Sequence, residues 1–97
     1  MPSEEYVEQV LRVIEDVPRG RVTTYGAIAE HVGVGGPRQV GQVLAHEGGP
    51  VPWWRVVRAD GSPPSCHDAE AGTHYLREGT PLRASGRVDM VAAFWQP

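Results

Sequence analysis

The sequence predicts a mainly α fold with short strands, and three observations predict it. An N-terminal run repeats its apolar residues at helical spacing until Pro18 stops it. Two further short helical patterns follow, separated by Gly33-Val34-Gly35-Gly36. A turn through Pro52, Trp53, Trp54 and Arg55 then leads into the β-branched pair Val56-Val57, which favours an extended backbone. The 97 residues read as one domain, 1–97, near the small end for a self-sufficient core.

The first helix is expected from about Ser3 to Asp16. Ser3 supplies a capping hydroxyl, and Glu4 and Glu5 suit the positive end of the helix dipole. Tyr6, Val7, Val10, Leu11, Val13, Ile14 and Val17 form its inner stripe, and Glu4, Glu5, Glu8 and Glu15 point outward. Thr23-Thr24-Tyr25-Gly26 opens the second helix with Thr24 as N-cap, and Ile28, Ala29 and Val32 face inward. Pro37 suits the first position of a third helix, Pro37 to about His46. Val40, Val43 and Leu44 lie on its inner side, leaving Arg38, Gln39 and Gln42 to face out, with Gly41 allowing close backbone approach. Two short helices across a glycine-containing turn, the second polar on one face, suggest a helix-turn-helix.

At Trp53 and Trp54, alternating directions along an extended segment would keep both indoles from being core, so one faces a pocket or the surface. Asp60-Gly61 marks a turn, Pro63 to His67 an irregular loop, and Asp68 to Glu78 a fourth helix that Gly79 stops. Val88, Met90 and Val91 read as a short strand or an extended arm, with Phe94 and Trp95 pinning the terminus to the core.

Composition narrows the function. No apolar run approaches the roughly 18–20 residues of a membrane span. The N-terminus is acidic, unlike a signal peptide. The single cysteine, Cys66, cannot form an internal disulfide and suits a reducing cytoplasm. No Cys/His spacing resembles a zinc site, and nothing resembles phosphate-loop or dinucleotide chemistry, so no cofactor is expected. The net charge of −3 looks wrong for a nucleic-acid binder, but its distribution is uneven. Residues 1–18 carry five acids against one Arg, whereas residues 19–58 carry five Arg against two acids. All nine basic residues are Arg, which suits bidentate phosphate and base contacts better than Lys does.

The stretch Pro52-Trp53-Trp54-Arg55-Val56 resembles the active-site segment of the O6-alkylguanine-DNA alkyltransferases, which reads Pro-Cys-His-Arg-Val. Trp53 stands at the nucleophile's position and Trp54 at that of the histidine. A Trp replacing that Cys is the mark of the alkyltransferase-like proteins. Thr23-Thr24-Tyr25-Gly26 and Arg38-Gln39-Val40-Gly41 resemble the same family's helix-turn-helix, so the likeness covers about residues 18 to 61. It implies the fold of the alkyltransferase C-terminal domain, winged-helix-like, and no enzymatic activity, since an indole cannot serve as a thiolate nucleophile. Leu76-Arg77-Glu78-Gly79 resembles the helix end where a Glu orients the catalytic His; without that His, Glu78 has no relay to serve.

The resemblance further implies a sensor of O6-alkylguanine in double-stranded DNA that flips the base, acts as a monomer in the cytoplasm or on the nucleoid, and hands the complex to nucleotide-excision repair proteins. Tyr25 would press on the backbone, and Arg38 would fill the vacated stack with its planar guanidinium. Thr24, Gly26, Gln39 and Gly41 would meet phosphate or backbone. Leu44 would wedge from the minor-groove side or serve the core. Tyr25, Trp53, Arg55 and His67 would form the lesion pocket, with Cys66 in place of His67 under an alignment shifted by one residue. Two readings from other classes remain: a winged-helix-like regulator without lesion preference, and an alkyltransferase using Cys66.

Overall fold

The computed structural model describes residues 3–64 and 68–97; the expectations placed on Cys66 and His67 fall outside the described residues. Helix α1, Glu4–Asp16, is capped by the Ser3 hydroxyl, which accepts from the Tyr6 N–H at 3.1 Å. Strand β1, Thr23–Thr24, runs directly into helix α2, Tyr25–Val32, where the Thr24 hydroxyl accepts from the Ala27 N–H at 3.0 Å. Gly33 ends α2 in the left-handed conformation, and helix α3 runs Pro37–Glu47 with Pro37 in its first turn. Helix α4 spans Asp68–Glu78. The four main helices thus fall where periodicity and capping residues place them, and the fold is mainly helical with a small sheet.

Trp53–Arg55 form one turn of 3₁₀ helix rather than an extended segment, so the alternation argument for the two indoles does not apply. Strand β2, Val56–Val57, follows and pairs parallel with β1, Thr23 opposite Val56 and Thr24 opposite Val57. A parallel pair needs a crossover, and here that crossover is the helix-turn-helix itself. Both ends of the motif are therefore fastened to one two-stranded sheet.

Side chains alternate across a strand, and this sheet uses both faces. Val56 joins the first core with Val10, Ile14, Ile28, Val40 and Val43, between α1, α2 and α3. Val57 joins a second core with Val22, Ala71, Tyr75, Val88 and Ala93, against which Trp53 and Trp54 pack. The turn of the helix-turn-helix is closed by α1: a Cβ at Gly35, where φ is +72°, would stand 2.9 Å from the Tyr6 hydroxyl. Only glycine fits both that backbone and that space.

A second expectation is corrected at the C-terminal end. Met90 and Val91 lie in a short helix, α5, Met90–Ala93, not in a strand or arm. Asp89 caps it, its carboxylate accepting from the Val91 and Ala92 N–H groups at 3.1 and 3.4 Å. The chain end is pinned chiefly by backbone. Val22 donates to the Ala93 carbonyl, Trp95 donates to the Val22 carbonyl, and Arg21 reaches the carbonyls of Ala93 and Phe94 at 3.0 and 2.6 Å. None of the described helices is long and apolar enough to cross a membrane.

Candidate nucleic-acid interface and aromatic corner

The interface is built on the exposed side of α2 and α3. Arg38, in the first turn of α3, is exposed and, among the described residues, has no hydrogen-bond or salt-bridge partner. Gln39 is also exposed, but its carbonyl oxygen is taken by the Gly36 N–H at 2.9 Å, so it caps α3 and only its amide donors stay available. The Thr24 hydroxyl is likewise engaged as a cap. Tyr25 is half-buried, and its ring borders Gly41. Burial pushes the Tyr25 phenol above its ordinary pKa, and the neighbouring Arg58 offsets this only in part. Leu44 is half-buried, one side packed against the first core and the rest accessible.

Of the five Arg in the basic stretch, the structure commits three to the scaffold. Arg19 donates to the Arg77 carbonyl at 3.1 Å, Arg21 holds the chain end, and Arg55 binds Glu78. Arg19 stays exposed while making its bond, and Arg38 and Arg58 are exposed with no side-chain hydrogen bond or salt bridge among the described residues. Arg58 was not singled out by sequence; the signal was its place directly after β2, which brings it beside Tyr25.

Gly26 and Gly41 sit inside helices, where glycine costs about 1 kcal/mol relative to alanine. A Cβ at Gly26 meets nothing within 4 Å, and one at Gly41 meets only the Tyr25 ring at 4.0 Å. The fold itself therefore does not require either glycine. Gly41→Ala is expected to leave thermal stability unchanged or slightly raised while weakening duplex-DNA binding. Parallel melting and band-shift measurements check this, and unaltered DNA affinity would show that no backbone approaches there.

Between the 3₁₀ turn and α4 lies a corner of three rings joined to a charged cluster. Arg55 makes two bonds to Glu78, Nε to Oε1 at 3.1 Å and Nη2 to Oε2 at 2.7 Å, and a third from Nη1 to the Val17 carbonyl at 3.0 Å. The Arg55 and Glu78 side chains are only 15% and 4% exposed. Glu78 also accepts from the Gly20 N–H and, at 3.1 Å, from the Trp54 indole N–H. Burial alone would raise the Glu78 carboxyl. The hydrogen bonds from Arg55, Gly20 and Trp54, with the Arg55 charge, outweigh it and hold the pKa below its ordinary value. Glu78, which has no histidine at position 54 to orient, instead accepts from the Trp54 N–H and binds Arg55. Arg55, placed in the lesion pocket by sequence, directs its guanidinium to Glu78 and Val17.

Trp54 is further fixed by the Tyr75 hydroxyl, which donates to its carbonyl at 2.8 Å. Its indole stacks flat on His74, centroids 3.6 Å apart and planes 4° apart. Trp53 stands across this pair, at 5.6 Å and 87° from Trp54 and 5.9 Å and 83° from His74. Sequence reasoning missed His74. Its signal was the four-residue spacing from Glu78, which puts both on one face of α4. A depression of about 600 Å³ between α1 and α3, lined by Glu4, Glu8, His46 and Glu47 among others, shares no residue with this corner. Among the described residues no group of three or more His, Cys, Asp or Glu could hold a metal ion.

Residues 5–78 match the family model for the DNA-binding domain of 6-O-methylguanine DNA methyltransferase. The chain belongs to this alkyltransferase family. Within the family it is similar to the DNA base-flipping protein of Vibrio parahaemolyticus, 32% identical over 97% of this chain and 99% of that one. It is similar also to alkyltransferase-like protein 1 of Schizosaccharomyces pombe, 39% identical over 74% of this chain and 68% of that protein. In three dimensions it matches S. pombe Atl1, solved in complex with damaged DNA containing O6-carboxymethylguanine. That match has a TM-score of 0.85 at 28% identity and covers all of both chains. The fold is thus alkyltransferase-like, as the motifs at Tyr25, Arg38 and Trp53 imply.

Proposed function

We propose that this protein senses O6-alkylguanine in duplex DNA by turning the base out of the stack, and that it transfers nothing. The observation that carries the reading is the indole of Trp53 at the nucleophile's position, in a chain whose helix-turn-helix leaves Arg38 exposed and, among the described residues, unpaired. The names of the relatives and the Atl1 complex with damaged DNA support it. Extruding a base costs a few kcal/mol, less for a damaged and poorly paired one, so part of the discrimination precedes any contact. Arg38 then fills the gap and satisfies the orphaned partner base. Tyr25 presses on the backbone beside Gly41, and Trp53 packs against the extruded base. Position 53 offers no thiolate to accept an alkyl group, so on this reading the complex ends at binding. We further propose that the monomeric, cytoplasmic protein marks the lesion for nucleotide-excision repair proteins.

The test is a titration of two duplexes differing by one O6-methylguanine, at fixed salt because phosphate contacts make affinity salt-dependent. Wild type should prefer the lesion by at least about tenfold, roughly 1.4 kcal/mol. Arg38→Ala should lose most of that preference while melting as wild type does, Arg38 being solvent-exposed. Equal binding to both duplexes would leave a winged-helix-like DNA-binding domain. Gain of one methyl group's mass on Cys66 after incubation would make the protein an alkyltransferase instead.

A further inference from the structure

Trp53, on the proposed reading, is the side chain that meets the extruded base, so whatever orients it sets what the site recognises. The ring geometry identifies that support. Trp54 and His74 are parallel and in contact, and Trp53 is nearly perpendicular to both, at almost equal centroid distances of 5.6 and 5.9 Å. Trp53 therefore seats across the side of a two-ring stack while it also packs against the second core. Edge-to-face packing of this kind is directional, because positive ring edges seek the negative face of a neighbouring ring. Trp54 has other anchors, in Glu78 and Tyr75. Among the described residues, His74 has no hydrogen bond; its ring interactions are with the two indoles alone.

We infer that His74 is a positioning residue for lesion recognition: with Trp54 it forms the wall that fixes the orientation of Trp53. This rests on the lesion-sensing function proposed above, yet it makes a claim about the free protein that stands without DNA. The plane of the ring does the work, not its nitrogens. An aromatic hydrocarbon at position 74 serves equally, and a small aliphatic side chain lets Trp53 rotate. Because alanine is the better helix former, His74→Ala does not weaken α4 through propensity.

The full chain and its His74→Ala and His74→Phe variants decide the matter with two readouts. The first needs no DNA. Two indoles held at a fixed angle a few ångströms apart give an exciton couplet in far-ultraviolet circular dichroism, which fades when one rotates freely. His74→Ala should weaken the couplet at unchanged helix content, and His74→Phe should keep it. The second is the affinity ratio for duplexes with and without O6-methylguanine. His74→Ala should cut it about tenfold, by roughly 1.4 kcal/mol, with affinity for the undamaged duplex unchanged, whereas His74→Phe should retain it. An intact couplet and full lesion preference in His74→Ala would overturn the inference, as would a His74→Phe variant as impaired as His74→Ala. Absence of lesion preference in wild type would sink the proposed function, while the couplet would still report whether His74 holds Trp53.

Discussion

Glu78→Ala is expected to cost about 3 kcal/mol of folding stability and lower the melting temperature by more than about 10 °C. The substitution leaves the Arg55 guanidinium, only 15% exposed, without its charged partner. Removing one member of a buried pair typically costs about 3–5 kcal/mol. The lower figure applies here because Arg55 keeps the Val17 carbonyl. The Trp54 indole and the Gly20 N–H lose their acceptor in the same step. The pH dependence follows from the direction of the shift. A carboxyl whose pKa is lower folded than unfolded contributes its full stability above the unfolded value, ordinarily 4.5. That contribution is lost as the pH falls through the lowered folded-state value. The stability difference between wild type and Glu78→Gln should therefore be constant near neutrality and shrink below about pH 4.5. Urea denaturation of both proteins across that range measures it, and a difference that grows on acidification would refute the assignment.

Tyr75→Ala should be at least as damaging. Tyr75 is 2% exposed and fills the second core between α4 and the sheet. Truncating a large buried ring to alanine costs about 3–5 kcal/mol, a large part of the roughly 5–15 kcal/mol that holds a domain folded. Tyr75→Phe separates the hydroxyl from the ring. It should cost about 1 kcal/mol, the worth of one hydrogen bond to the Trp54 carbonyl. Burial, the charge-bearing neighbours Asp68 and Glu78, and Tyr25 hold this phenol far above its ordinary value, so it stays protonated through any ordinary assay. Denaturant unfolding with tryptophan emission as the probe reads both variants. If Tyr75→Ala unfolded within 1 kcal/mol of wild type, the second core could not be what supports the aromatic corner.

What the sequence disclosed and what it hid divide along contact range. Helices α1 to α4 were legible because their signals are local: Ser3 and Thr24 as caps, Pro37 at a first turn, Gly33 and Gly79 as stops. Trp53 and Arg38 were legible as candidates through motif spacing. The pairing of Thr23-Thr24 with Val56-Val57 was not, since two-residue strands have no periodicity to read. Nor was the meeting of Arg55 with Glu78, 23 residues apart, which turned an orphaned acid into the centre of a cluster. The same meeting removed Arg55 from the free cations, and contacts with distant backbone removed Arg19 and Arg21. At the C-terminal end, Asp89 before a short apolar run was a capping signal for α5 that β-branched Val88 and Val91 obscured.

The bond from Trp54 to Glu78 also has an evolutionary reading. Tryptophan and cysteine codons differ at a single base, so one mutational step places a thiol at position 53. Histidine codons differ from that of tryptophan at every position. A thiol regained alone would lie beside an indole that offers no proton acceptor and whose polar hydrogen already belongs to Glu78. That single change would thus supply a thiol without the base that activates it. Trp53→Cys alone is therefore expected to take up no alkyl group from a methylated duplex, whereas a histidine restored at position 54 as well would supply the acceptor.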